Sequence, residues 1–188
     1  MPSTALLRWQ TDRLIRLSEI EAQCIATAAL APPNANLADE NLRGFVMLLS
    51  AHFQGYCRDL YSECVQIVAA STMPSMQNMI QNQCLSGRQL DAANPRYAAI
   101  RKDFERFGLD LAASLASDPA NPLRITHLDH LNSWRNYAAH HQVSTPTVGG
   151  PFVVATVQVW RLSCDGLAAE LDRVMYNQLQ QLTGVAPW

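Results

Sequence analysis

Between Leu42 and Ile67 the residues Leu42, Phe45, Leu49, Phe53, Tyr56, Leu60, Cys64 and Ile67 recur at steps of three and four, and no proline interrupts the chain until Pro74. That spacing places all of them on one stripe of an α-helix and conflicts with the alternation of a half-buried strand. A helix of about thirty residues rises roughly 45 Å at 1.5 Å per residue, which suits the spine of a bundle. Its long apolar stripe needs other helices to cover it.

The remaining sequence supplies them. Leu14, Leu17, Ile20, Cys24 and Ala28 predict a first helix that begins near Leu6 and ends before Pro32-Pro33. Met76, Met79, Ile80 and Leu85 predict a shorter helix from Ser75 to about Leu90. Asn94 as N-cap, with Pro95 at the first helical position, predicts one that carries Tyr97, Ile100, Phe104, Phe107, Leu111 and Leu115. Asp118-Pro119-Ala120-Asn121-Pro122 reads as a break. After it, Thr126 and Asp129 form a capping-box start for a helix whose Leu128 and Leu131 face the core. The stretch 145–151 reads as a loop and Phe152 to Ala155 as briefly extended. A last helix follows on Val157, Trp160, Cys164, Leu167, Leu171, Val174, Met175 and Leu182, with Gly166 inside it at a small cost. No internal repeat or low-complexity tail appears. The fold class is therefore all-α: a helical bundle of about four major helices plus a short one, read as one domain over 1–188 with its core at about 37–183.

Composition narrows the partners. Charged residues make up only 16% of the 188 residues, below the usual quarter, so part of the surface is expected to lie against a second copy in a homodimer. A net charge of −2 gives no broad basic field, and DNA is not expected as a ligand, although a local arginine cluster can still engage a phosphate. Lys102 is the only lysine. A genomic base-composition bias accounts for that better than phosphate binding does. Five cysteines form no C-x-x-C pair, and Cys57 and Cys64 fall in the apolar stripe as small core residues of a reducing compartment. With no signal-like N-terminal segment and no long apolar run, a cytoplasmic protein without a membrane partner is expected.

A second pattern carries chemistry. After Thr126-His127-Leu128-Asp129-His130-Leu131-Asn132-Ser133-Trp134 stand Arg135-Asn136-Tyr137-Ala138-Ala139-His140, then His141. Arginine is a permanent cation with a donor fork shaped for phosphate, and histidine titrates near neutral pH. In one site, His140 would take the proton of a ribose 2′-hydroxyl or protonate the 5′-oxygen leaving group. Arg135 would neutralise the charge growing on the phosphate. Five residues apart on a continuous helix, the two lie about 140° and 7.5 Å apart, so they converge only if the arginine leans back or the helix loosens near His140. General acid and general base both need filling. A two-fold dimer with the motif on its axis brings a second His140, and His141 is the intramolecular candidate. Without chemistry, the same residues are an arginine at a helix end and polar histidines near a turn. Chance alone gives this spacing in roughly one such chain in three.

The segment Leu131-Asn132-Ser133-Trp134-Arg135-Asn136-Tyr137-Ala138-Ala139-His140-His141 resembles the signature of the HEPN superfamily, in which an Arg, usually followed by a polar residue, precedes a His at a helix end. Asn136 fills the polar position. The stretch Phe45-Val46-Met47-Leu48-Leu49-Ser50-Ala51-His52-Phe53-Gln54-Gly55-Tyr56-Cys57-Arg58-Asp59-Leu60 resembles the long second helix of stand-alone HEPN proteins of the RiboL-PSP and MAE type. With the bundle between them, the two pieces cover most of residues 40 to 180. The resemblance implies a HEPN-like fold and a dimeric, metal-independent endoribonuclease that needs no cofactor. Such proteins often work with an antitoxin or another partner protein in toxin-antitoxin, abortive-infection, stress or phage-defence systems. Arg135 and His140 would be the catalytic pair and Asn136 the supporting polar residue. His141, Trp134 and Tyr137 are candidates for support or RNA contact. Two positions depart from the pattern. Gln54 stands where many members carry an acidic residue, and Gln142 stands where members controlled by nucleotidylation carry a tyrosine, so neither an assisting carboxylate nor that control is implied. The alternative is a non-catalytic HEPN-like helical module that binds a partner protein or RNA.

Other constellations are weaker. His127, His130, His140 and His141 with Asp129 suggest a metal site, and His127 and His130 share a helical face, but no carboxylate cluster accompanies them and no metal is expected. No G-x-S-x-G elbow occurs, and Gly149-Gly150 is too isolated for a phosphate loop. Of Trp9, Trp134, Trp160 and Trp188, only Trp134 adjoins the motif as a stacking platform, while Trp160 falls on a core stripe. Arg96, Arg101, Lys102 and Arg106 alternate with Asp103 and Glu105, a solvated face or, alternatively, an RNA-backbone track.

Overall fold

The stripe from Leu42 to Ile67 lies on a helix longer than its spacing predicts, α3, Ala35–Ala70, whose first turn is capped by the Asn34 side chain accepting from the Leu37 amide. The computed structural model describes residues 1–92, 94–140 and 145–188. Among these the elements are helical and no strand occurs. Before the spine stand α1 (Thr4–Arg8), a π-helical turn (Trp9–Arg13) and α2 (Leu14–Ala28), which together make the single first helix of the sequence reading. After it come α4 (Pro74–Leu85), α5 (Gln89–Ala92), α6 (Tyr97–Phe104), α7 (Leu111–Leu115), α8 (Asn121–His140) and α9 (Val154–Thr183). The spine packs on α1, α2, α4, α8 and α9, and α8 packs along α9.

Phe45, Leu49, Phe53, Tyr56, Leu60 and Cys64 are fully buried, as their period requires. Trp9 meets Phe53 and Tyr56 with ring centres 5.9 and 5.8 Å apart, which pins the N-terminal helices to the spine. The Tyr56 hydroxyl reaches the Ala168 carbonyl at 2.7 Å and so ties the spine to α9. The cysteines are free; Cys57 and Cys64 are fully buried, and burial pushes both thiols well above their ordinary range.

Several boundaries differ from the sequence reading. The helix expected from Ser75 to about Leu90 ends at Leu85, and α5 forms separately because the buried Asp103 carboxylate accepts from the Gln89 and Leu90 amides, both at 2.8 Å. The helix expected to run from Pro95 to Leu115 divides at Gly108, whose φ of 79° ends a short 3₁₀ turn at Glu105–Phe107. Asn94 is not its cap: α6 starts at Tyr97, and the Tyr97 amide is taken by Asp129 from α8. Helix α8 begins at Asn121, five residues ahead of the expected Thr126, since Pro122 is tolerated in a first turn. Thr126 is internal and bonds back to the Pro122 carbonyl at 3.0 Å. Extended backbone after Phe152 is confined to Val153, and α9 starts at Val154.

Candidate functional site

Helix α8 sets the position of the motif. Leu128, Leu131 and Trp134 bury one face of it. On the adjoining face the buried Asn132 amide donates to the Pro95 carbonyl at 3.2 Å and to the Leu128 carbonyl at 2.8 Å, which holds the 94–96 linker beside the helix. One turn further on, Asn94 Nδ2 donates to Asn136 Oδ1 at 2.6 Å. Arg135 Nη1 donates to the same oxygen at 3.4 Å. With two donors on its carbonyl, the Asn136 side chain has no acceptor for its NH₂ among the described residues.

Arg135 is half-buried, and among the described residues no carboxylate pairs with it. Most other arginines are spent in ion pairs, Arg13 on Asp59, Arg43 on Asp39, Arg88 on Asp91 and Arg161 on Glu21 among them. The charge of Arg135 therefore stays available to an anion, beside a neutral amide that orients it. His140 is exposed and is the last residue of α8.

The helix stays α-helical through His140, so it does not loosen to bring the pair together. Arg135 and His140 project about 140° apart within one chain. Arg135, Asn136 and Asn94 meet, and among the described residues no hydrogen bond joins His140 to them. His141 and Gln142 lie outside the described residues. Gln54, at the departing position on the spine, donates to the Leu90 carbonyl at 2.7 Å.

Trp134 is corrected as an RNA platform: it is 3% exposed, stacks on Phe152 with centres 4.3 Å apart and planes 4° apart, and donates from Nε1 to the Val148 carbonyl at 2.9 Å. A base has no face of it to use. Tyr137 packs edge-on against Trp134 and under the Arg43 guanidinium, 4.7 Å from its ring centre, with Arg43 Nη2 3.2 Å from the hydroxyl. Bonds from Arg43 and then Thr145 hold its phenol below the usual value. Tyr137 thereby ties α8 to the spine at the motif's back.

His127 and His130 share a face, as their spacing requires, with ring centres 6.3 Å apart. Asp129 turns toward Arg96 and the Tyr97 amide at the start of α6. Among the described residues, no three His, Cys, Asp or Glu side chains come together in a way that could hold a metal. No described helix is long and apolar enough to cross a membrane.

Sequence reading missed Asn94, which it took for a helix cap. No local signal shows that its amide reaches Asn136, since that contact depends on Asn132 gripping the linker from another helix. Comparison with protein-family models, curated proteins and solved structures finds no match to this chain.

Proposed function

We propose that the chain is a HEPN-like endoribonuclease that works without a metal, as a homodimer whose site pools Arg135 and His140 of both copies. The observation that supports it is the unneutralised Arg135, held by Asn136 and Asn94 on the turn before an exposed His140 at the helix end. In this reading one imidazole removes the 2′-hydroxyl proton, and that oxygen attacks phosphorus. The partner's imidazole protonates the departing 5′-oxygen, leaving a 2′,3′-cyclic phosphate and a 5′-hydroxyl. Arg135 and the Asn136 NH₂ face the charge that builds on the phosphoryl oxygens. Two copies answer the geometric deficit, because a continuous helix keeps one chain's Arg135 and His140 on different faces and a single histidine does not serve as both acid and base. An RNase of this kind would act as a toxin or defence effector, with an antitoxin or other partner protein restraining it.

The test is RNA cleavage in chelator with end-group analysis. Arg135→Ala and His140→Ala are each expected to lose about a hundredfold or more while keeping the wild-type melting temperature. Folded variants that cut as well as wild type refute the reading.

The angular separation of the pair favours a second reading, a non-catalytic HEPN-like module that binds RNA or a partner protein. It predicts no cleavage by the wild-type chain and RNA binding that weakens with Arg135→Ala alone.

A further inference from the structure

His127 and His130 line an open groove of ≈ 550 Å³ between α8, the Gly149-Gly150 turn and the start of α9, with Thr156 and Trp160 on its far side. Both rings turn Nδ1 inward, with different consequences. His127 Nδ1 lies 2.8 Å from Ser163 Oγ, and the Ser163 hydroxyl donates to the Val159 carbonyl at 3.0 Å. Its proton thus engaged, Ser163 accepts from His127, so Nδ1 carries the hydrogen and Nε2 keeps a lone pair. Among the described residues, His130 Nδ1 is buried without a hydrogen-bond partner. A buried orphan N–H is rarer and costlier than a buried orphan acceptor, which puts the hydrogen of His130 on Nε2.

The groove wall therefore offers a bare lone pair beside an N–H donor. The turn across from it is built to fit: Gly149 has φ +84°, and a Cβ there would fall 2.9 Å from Trp160 Cζ2 and 3.1 Å from His130 Cβ. Glycine lets the backbone lie directly on His130 while the groove stays open. Burial, and then the neighbouring His130, pull His127 below the ordinary imidazole value, in keeping with the neutral form. Among the described residues, the groove lining contains no carboxylate to repel an anion.

We propose that this groove binds a phosphate beside a free hydroxyl, the chemistry of a ribose phosphate. The hydroxyl donates to His127 Nε2 and a phosphate oxygen accepts from His130 Nε2–H. The ring centres are 6.3 Å apart, within the reach of two hydrogen bonds of about 2.8 Å joined through adjacent oxygens. A free nucleotide and an RNA chain supply the same chemistry, and the site is separate from Arg135 and His140.

The test titrates uridine 3′-monophosphate, 2′-deoxyuridine 3′-monophosphate and inorganic phosphate into the full chain while imidazole proton resonances are followed by NMR. Assignment uses His127→Gln and His130→Gln. The resonances of His127 and His130 should shift, and the ribonucleotide should bind about tenfold or more tightly than the other two ligands. Each glutamine variant should weaken it by about tenfold. Ala155→Tyr, which fills the groove from an exposed position and spares the core, should do the same. Equal affinity for ribo- and deoxynucleotide, resonances unmoved at millimolar ligand, or undiminished binding by Ala155→Tyr overturns the proposal. Displacement of the mononucleotide by an oligoribonucleotide identifies RNA as the source, and failure to displace it identifies the free nucleotide. Arg135→Ala should leave nucleotide binding intact whether or not that variant loses cleavage, so the two readings fail separately.

Discussion

Replacing Trp134 with alanine is predicted to cost about 4 kcal/mol of folding stability, most of it from emptying a large buried site. The indole is 3% exposed, so little of its volume can be refilled by water without cost. The loss also removes the 4.3 Å stack on Phe152, worth about 1 kcal/mol. It leaves the Val148 carbonyl without the Nε1–H now 2.9 Å away, at about 1 kcal/mol more. These contributions overlap, and the total is smaller than their sum. Trp134→Phe keeps a stacked ring but not the hydrogen bond, and about 1–2 kcal/mol is expected for it. Urea denaturation followed by circular dichroism measures both, with the slope unchanged if the unfolded state is unaffected. Val148 and Phe152 flank the Gly149-Gly150 turn, so the alanine variant should also loosen the turn over His130. A cost below about 1 kcal/mol for Trp134→Ala, together with lost RNA binding, would refute the packing argument and return Trp134 to the role of a stacking platform.

Gly149→Ala should destabilise by about 2 kcal/mol, because strain at φ +84° adds to contact with Trp160 and His130, whereas Gly150→Ala, at φ +80° with open space around it, should cost about 1 kcal/mol; thermal melts of the pair compare them. Burial raises the Asp172 carboxyl, so the folded state holds its proton over a range where the unfolded chain has lost it, and stability falls as pH rises from the ordinary aspartate value through the folded one. Asp172→Asn should therefore raise the melting temperature at neutral pH, with a gain that shrinks toward acid; no gain at neutral pH would contradict this. Asn94→Ala frees Asn136 and should lower RNA cleavage severalfold without removing it, an effect that Arg135→Ala should mask because Asn94 acts through that pair.

Much of the fold was legible because period and burial agree: the residues of the α3 and α9 stripes that sequence placed inside include Phe45, Tyr56, Trp160 and Leu171, and all four are buried. Boundaries set by distant partners were not. Asp103 caps α5 and Asp129 caps α6 from other elements, so neither start has a local signature. Pro122 looked like a breaker because a proline in a first turn and a proline after a helix are the same residue in sequence. Within the site, the 140° between Arg135 and His140 followed from residue spacing and persists because α8 stays helical to its end. The Asn94–Asn136 contact and the opposite surroundings of His127 and His130 depend on linker and turn positions that no residue pattern encodes.

The central claim is a ribonuclease site completed by two copies, and a mixing experiment tests it most directly. Wild-type chain is held at fixed concentration while folded His140→Ala chain is added and exchanged into dimers, and cleavage is read per wild-type chain. If each site needs both imidazoles, a ninefold excess of the variant leaves about one wild-type chain in ten with a wild-type partner, and cleavage per chain falls about tenfold. Cleavage per wild-type chain that ignores the excess, or a wild-type chain that cuts no RNA at all, would contradict the claim.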